Sequence, residues 1–299
     1  MAINSALVGE IVSQNAFFAF RDALTPVAGA FASDFGGEIG RRGQVVDVPV
    51  FNGYSAGTYA GNYVTNASND VGVVTVTVNK HQYKTVSLTD LEVTNNGESA
   101  TRLESFGRKL GDALALAVYQ DILSVVTAAN YGTATGFTGT STGFDSDDVV
   151  DIKTVCDAAD MPRSGRNLIL SDAYYNALLK DTSVKNAQNY GTTEGIQAGV
   201  IPNLAGFQVW QTNAIPSNSE NLVGLACVDT AIACAMRYLV PQNGHKYSMA
   251  ESLTDSETGI TLGMREWYDE GLGTKYLAVE CNYGYSVAQA AGLKRVTSA

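Results

Sequence analysis

Charge is scarce in this chain. Only 16% of its 299 residues are Asp, Glu, Lys or Arg, where soluble domains usually carry about 25%. Basic residues are the scarcer sign: 19 Lys and Arg against 30 Asp and Glu leave a net charge of −11, which argues against a general nucleic-acid-binding surface. Histidine is nearly absent, with 2 residues, and the 4 cysteines (Cys156, Cys227, Cys234, Cys281) include no C-x-x-C pair, so no zinc-ligand spacing is present. No stretch approaches the ~20 apolar residues of a membrane span. The opening MAINSALVGEIVSQNAFFAF lacks the basic and apolar regions of a signal peptide. The expectation is an intracellular protein with reduced, buried thiols. The N-x-S match at Asn66-Ala67-Ser68 carries nothing without secretion. No P-loop, dinucleotide fingerprint or basic-aromatic stripe occurs.

What is present is a large apolar fraction, 45%, in a chain long enough to bury about three-quarters of its unfolded surface. That excludes a coiled coil or a disordered tail. Thr (26) and Asn (20) each outnumber all Lys and Arg together. A surface rich in neutral polar groups suits an exterior covered largely by other chains.

Residues 1–42 read as an arm. Ile3, Leu7, Ile11 and Val12 fit a short helix, Phe17, Phe18 and Phe20 follow, and Pro26 and the run Gly36-Gly37-Glu38-Ile39-Gly40 break regularity. Exposed Phe residues would be comfortable lying on a neighbour. Residues 43–93 read as a long hairpin. Gln44–Phe51 is one strand, with Pro49 arguing for an edge. In the return strand Val74, Val76 and Val78 alternate with Thr75, Thr77 and Asn79, and strand character continues from Tyr83 to Leu91. The tip between them is rich in Gly, Asn, Ser and Tyr, which is turn chemistry. A lone hairpin is marginal in water, so this one is expected to need a partner surface that the same chain does not obviously offer.

Glu98–Ala129 is the clearest helix. Leu103, Phe106, Leu110, Leu114, Ala117 and Val125 step by three and four, with Asp121 interrupting the stripe and Ile122 extending it. Its expected length is about 48 Å. Gly107 and Gly111 weaken it and permit close approach of another backbone. Residues 130–145 read as a Gly/Thr linker. Residues 146–245 read as an α/β unit: a helix capped by Ser146, a strand at Asn167–Leu170, a helix from Ser171 or Asp172 to Lys180, strands at Phe207–Trp210 and Val223–Val228, and a helix or strand after Asp229. Residues 246–299 return to strands, expected to pack on the long helix and close the first domain.

Several motifs invite chemistry. Gly139-Thr140-Ser141-Thr142-Gly143 matches G-x-S-x-G, with Asp172 or Asp229 and then His245 available as partners, but no apolar strand delivers Ser141 onto the turn. The bland reading, a flexible loop, is preferred. The acids between Glu251 and Glu270 show no calcium-loop spacing and read as a solvated face. For Arg41-Arg42 two readings stand: a solvated turn, or a site for a phosphate or a carboxylate on another subunit, with inter-subunit pairing the preferred functional version. Tyr54, Tyr59 and Tyr63 cluster in the hairpin tip, where a ring and a hydroxyl together make a good interface group. No catalytic, metal-binding or cofactor-binding residue is expected.

The order of parts resembles the major capsid (coat) protein family of tailed bacteriophages. GQVVDVPVF with GVVTVTVNKHQYKTVSLTDLEV resembles its E-loop, and ESATRLESFGRKLGDALALAVYQDILSVV its spine helix. NLILSDAYYNALLKD followed by GIQAGVIPNLAGFQVWQTNAIP is similar to its A-domain run. One extra residue stands between Gly199 and Ile201. The resemblance implies an α+β fold with these parts: an N-terminal arm (1–42), an extended β-hairpin E-loop with return strand (43–93), a peripheral P-domain spine helix and linker (94–145), an inserted α/β A-domain (146–245) and closing strands (246–299).

It implies a structural protein, not an enzyme, without cofactors. Pentamers and hexamers would build an icosahedral shell around double-stranded DNA, in a virion assembled in the host cytoplasm, with no membrane partner. Scaffolding, portal and decoration proteins are the implied partners, the scaffold being separate because the chain starts almost at the arm. Phe17, Phe18, Arg41, Arg42, Tyr54, Tyr59, Tyr63, Val74 and Val76 are the inter-subunit contact candidates. Some relatives join Lys to Asn covalently; Lys80 and Lys84 lie near the hairpin, but no motif carries that chemistry over. The other readings are a bacterial nanocompartment shell of the same fold, a serine hydrolase using Ser141, and a cell-surface β-rich binding protein.

Overall fold

Every fourth residue along one side of the first helix is apolar, and the series does not stop where the sequence pattern suggested. Val12, Ala16, Phe20 and Leu24 form one buried stripe on a single helix, α1 (Ser5–Ala28). Pro26 falls inside its last turn. The stripe lies along Leu110, Leu114, Val118 and Ile122 of α2 (Ala100–Leu123). In the computed structural model, which describes residues 5–28, 31–33, 44–51, 59, 71–91, 100–185, 199–201, 203–242, 244, 246–255 and 259–299, these two helices run parallel and form one layer. Gly107 and Gly111 allow the contact. A β-carbon at Gly107 would sit 2.6 Å from the Val12 carbonyl oxygen, and one at Gly111 would run into the Ala16 backbone. The glycines thus admit another backbone, and that backbone belongs to the chain's own arm.

At 24 residues, α2 is about 36 Å long, shorter than the 48 Å its periodicity suggested. A distant loop ends it. The Asn218 side-chain amide donates to the carbonyls of Leu123 (2.9 Å) and Val126 (2.7 Å), satisfying acceptors that a helix end leaves open. The Glu220 carboxylate then accepts from the Ala128 N–H at 3.0 and 2.9 Å, at the start of the short helix α3 (Ala128–Tyr131).

Under the helices lies a six-stranded sheet, ordered β1 (Phe31–Ser33), β10 (Ile232–Arg237), β13 (Thr274–Val287), β12 (Thr261–Asp269), β11 (Met249–Thr254), with β4 (Lys80–Thr89) also pairing β13. Its helix-facing side carries Ile232, Cys234, Met236, Val279, Cys281 and Tyr283. The period of two puts Ala233, Ala235 and Gly284 on the opposite face. There the ribbon β2 (Gln44–Phe51) and β3 (Val71–Val78) lays Val46, Val48, Val76 and Val78 on Ala233 and Ala235. A β-carbon at Gly284 would strike the Thr77 carbonyl.

A second six-stranded sheet follows the order β5 (Thr135–Thr138), β14 (Leu293–Thr297), β9 (Leu222–Cys227), β6 (Asn167–Ser171), β8 (Phe207–Thr212), β7 (Asn203–Leu204). Helices α4 (Ser146–Ala158) and α5 (Asp172–Lys180) cover one face with Val149, Ile152, Tyr174 and Leu178; α6 (Thr182–Lys185) follows. On the other face Ile169, Leu225 and Cys227 join the helix core. Three sequence expectations change here. Asp145, not Ser146, caps α4, accepting from the backbone N–H groups of Asp147 and Asp148. The expected linker 130–145 contains β5, bonded to β14. The boundary at 245/246 is crossed twice: β10 belongs to the first sheet and β14 to the second.

The helix contact yields a test. Gly111→Val is expected to destabilise the protein by about 1–3 kcal/mol through overpacking, lowering the thermal midpoint, although losing a helix-interior glycine normally stabilises. An unchanged or raised midpoint would contradict the close approach of α1.

Candidate inter-subunit surfaces

The nine contact candidates fall into three groups. Phe17 (9% exposed) and Val76 (0%) are covered by the chain itself, so the expectation that only another copy could cover them is corrected. Phe17 belongs to the core between α1 and α2, and Val76 sits above Ala233 and Ala235. Val74 is half-buried against the same patch. Phe18 (49%) and Tyr59 (64%) face solvent, with the Arg21 guanidinium 5.4 Å from the Phe18 ring centre. Arg41, Arg42, Tyr54 and Tyr63 lie outside the described residues.

The exposed side of the ribbon is apolar in places. Val45 (57%) and Val73 (62%) point away from the body, and among the described residues β2 and β3 pair only with each other. Among the described residues no third strand pairs with either edge, and an open strand edge is a template for another chain.

The ribbon's exit is pinned. Lys80, at the start of β4, donates to Asp121 Oδ1 at 2.7 Å and to the Tyr285 hydroxyl at 2.6 Å, and its ammonium lies 4.4 Å from the Tyr285 ring centre. Tyr283 donates to Asp121 Oδ2 at 2.7 Å, and Tyr285 to Oδ1 at 3.2 Å. Burial works against the Lys80 charge, but hydrogen bonds to Asp121 and Tyr285 and the charge of Asp121 outweigh it, so its pKa lies above the ordinary 10.5. An ammonium held this way is an anchor and a poor nucleophile. The polar break at Asp121 in an apolar helix stripe was the signal for this cluster.

A second buried cluster crosses the ribbon-bearing face. Arg265 contacts Glu280 Oε1 through Nε (2.8 Å) and Nη2 (2.7 Å), and His81 Nε2 lies 3.2 Å from Glu280 Oε2. Arg265 also donates to the Leu239 carbonyl and the Tyr247 hydroxyl, tying the 239–247 segment to the sheet.

Among the described residues no histidine stands beside Ser141. Ser141 opens a 3-10 turn after β5, so a strand does precede it, yet the one described histidine, His81, is on the other sheet and engaged with Glu280. His245 lies outside the described residues. All four cysteines are buried free thiols, and burial raises each pKa, Cys156 to about 11 and Cys234 to about 12, which makes them unreactive. Within the acidic stretch Glu266 pairs with Lys275 at 3.1 Å and Asp255 approaches Arg21 at 3.9 Å. Among the described residues no group of three metal-ligating side chains forms, and no helix is long and apolar enough to cross a membrane.

A helix pair over a sheet, a ribbon laid on that sheet's far face and a second, helix-covered sheet sharing the core define the α+β fold of tailed-phage capsid proteins. The chain belongs to the phage capsid protein family, whose sequence model matches residues 70–293, three-quarters of its length; it is a major capsid protein, a structural subunit of a multimeric virion shell. Solved structures of the same fold include a chain of Mycobacterium phage Che8 (18% identity, TM-score 0.54, covering 88% of this chain and 90% of that one). The capsid of cyanophage P-SCSP1u matches at 15% identity and TM-score 0.57, over 89% and 87%. A virus-like particle from Pyrococcus furiosus matches at 12% and 0.54, over 96% and 98%. No curated protein matches by sequence.

The Lys80 anchor gives a pH test. Because the folded pKa is raised, its stabilisation is fully present below pH 10.5 and is lost as pH climbs through the higher folded value. Asp121→Asn is therefore expected to lower the thermal midpoint at pH 7–9, with the difference from wild type shrinking at more alkaline pH. A difference that does not change with pH would contradict the ion pair.

Proposed function

We propose that the chain assembles through pentamers and hexamers into an icosahedral shell around double-stranded DNA, and that its role is structural rather than catalytic. One observation carries this reading. Among the described residues the subunit buries its own core, yet a two-stranded ribbon keeps an apolar outer side, Val45 and Val73, and pairs with no third strand. Contacts that run from one face of a subunit to a different face of the next generate closed rings, and many modest contacts multiply into a durable particle. In this reading the arm is α1, the E-loop is the ribbon with its tip, the spine helix is α2, and the A-domain is built on the second sheet. Scaffolding and portal proteins, and a decoration protein, would be its partners during assembly in the host cytoplasm.

The acidic balance suits a container that holds DNA without gripping it, since cationic walls would hinder filling and release. A second reading, a non-viral shell of the same fold, draws on the likeness to the Pyrococcus furiosus virus-like particle.

Negative-stain microscopy of the concentrated protein is expected to show closed shells or five- and six-fold rings, and Ser141→Ala to leave them unchanged. A monodisperse monomer at every concentration would overturn the assembly. Free subunits are expected not to retard DNA at low salt; tight binding would overturn the non-gripping wall.

A further inference from the structure

The helix layer and the second sheet meet in a cleft of about 550 Å³. One wall comes from α1 and α2. The other comes from the carboxyl ends of the parallel strands β6 and β8, the region where open α/β sheets take their ligands. Three carboxylates line the cleft: Asp22 of α1, Asp112 of α2 and Asp172, the first residue of α5. Among the described residues no lysine or arginine lines it. The helix wall is otherwise aliphatic, with Ala23, Ala115 and the exposed Leu116, apart from Tyr119. Tyr119 is 2% exposed, and its buried hydroxyl has no hydrogen-bond partner. Thr212 lies near enough to act on it, but Thr212 Oγ1 is spent on the Ala214 N–H at 3.2 Å. A buried hydroxyl left without a partner calls for an explanation.

We propose that this cleft binds an aliphatic polyammonium ion, a polyamine of the putrescine and spermidine class, laid between the helix layer and the second sheet. The class follows from how the groups are spread. The three carboxylates share one lining, yet among the described residues no three ligating side chains converge on a point. Separated carboxylates suit separated ammonium groups on one chain, each able to donate charge-assisted hydrogen bonds, rather than a single metal ion. The alanine and leucine wall suits the methylenes that join those groups. Tyr119 adds a phenol oxygen that can accept from an N–H. Asp22 already meets Arg21 at 3.1 Å, and Asp172 accepts from the Gln211 side-chain amide at 3.0 Å, so Asp112 is the carboxylate that gains most from a bound cation. The net charge of −11 draws a polycation toward the surface before any contact forms. Once seated, the ligand ties α1 and α2 to the strand ends of the second sheet.

Calorimetric titration and thermal melting of the purified full chain with spermidine, putrescine or Mg²⁺, all at one ionic strength, test this. Spermidine is expected to bind saturably and to raise the thermal midpoint more than putrescine does, with no shift from Mg²⁺. Asp112→Asn, at an exposed position, is expected to weaken spermidine about two- to fivefold, the loss of one partly exposed ion pair. Leu116→Lys is expected to abolish binding by placing an ammonium in the cleft. Tyr119→Phe separates ligand binding from folding. It removes an unpaired hydroxyl, so the ligand-free midpoint is expected to hold or rise, while spermidine affinity falls. Spermidine effects no larger than those of Mg²⁺, or unchanged in both Asp112→Asn and Leu116→Lys, overturn the proposal. Pentalysine that binds the cleft where spermidine does not assigns it to a basic segment of a partner protein and also overturns it. These readouts need no assembly, so they stand apart from the shell reading.

Discussion

The structure depends on a patch of missing side-chain volume. Ala233, Ala235 and Gly284 leave the outward face of the first sheet flat enough for a second β layer to lie directly upon it. Larger residues there would lift the ribbon, expose Val46, Val48, Val76 and Val78, and forfeit roughly 1.5–3 kcal/mol for each valine returned to water. Because the patch is small and lies at one end of β13, it seats the ribbon's base and leaves its outer side exposed. The same sheet thus provides both an internal anchor and a projecting element.

Two further contacts keep that projection from swinging. The Lys80–Asp121 pair, with Tyr283 and Tyr285, fastens the point where β3 becomes β4 to the helix behind the sheet. The glycine contacts of α2 with α1 hold that helix against the arm. The helix in turn ends where Asn218 and Glu220 take its last carbonyls and the next free N–H; Glu220 also pairs with Arg295 at 2.6 Å. Arm, long helix, ribbon and second sheet are linked through these contacts, so force on the ribbon reaches the body through a rigid path.

Much of this was legible in the sequence. Alternating Val and Thr marked β3 because a half-buried strand needs a period of two. The stepped leucines marked α2, and Gly107 and Gly111 marked a close helix contact. What escaped was set by residues far away in the chain. Phe17 and Val76 look like orphans until α2 and strands more than 150 residues later are folded around them. The end of α2 comes from a loop beginning 94 residues after it (Leu123 to Ser217). The small residues of β10 were read as helix or strand alike, since alternation of Ala with Ile, Cys and Met is too even in hydropathy to betray two different faces. Of the contact candidates, Phe18 and Tyr59 face solvent, while the stacked rings of Trp267 and Tyr276 went unread because the two are scattered until the sheet pairs them.

The central claim is that the ribbon's inner face is satisfied within the subunit and its outer face only by assembly. Backbone amide exchange over residues 44–51 and 71–78, compared between free subunits and purified particles, measures this most directly. The account predicts moderate protection in free subunits, from pairing between the two strands, and a marked gain in particles at the edge amides beside Val45 and Val73. Equal protection in the two states would contradict it.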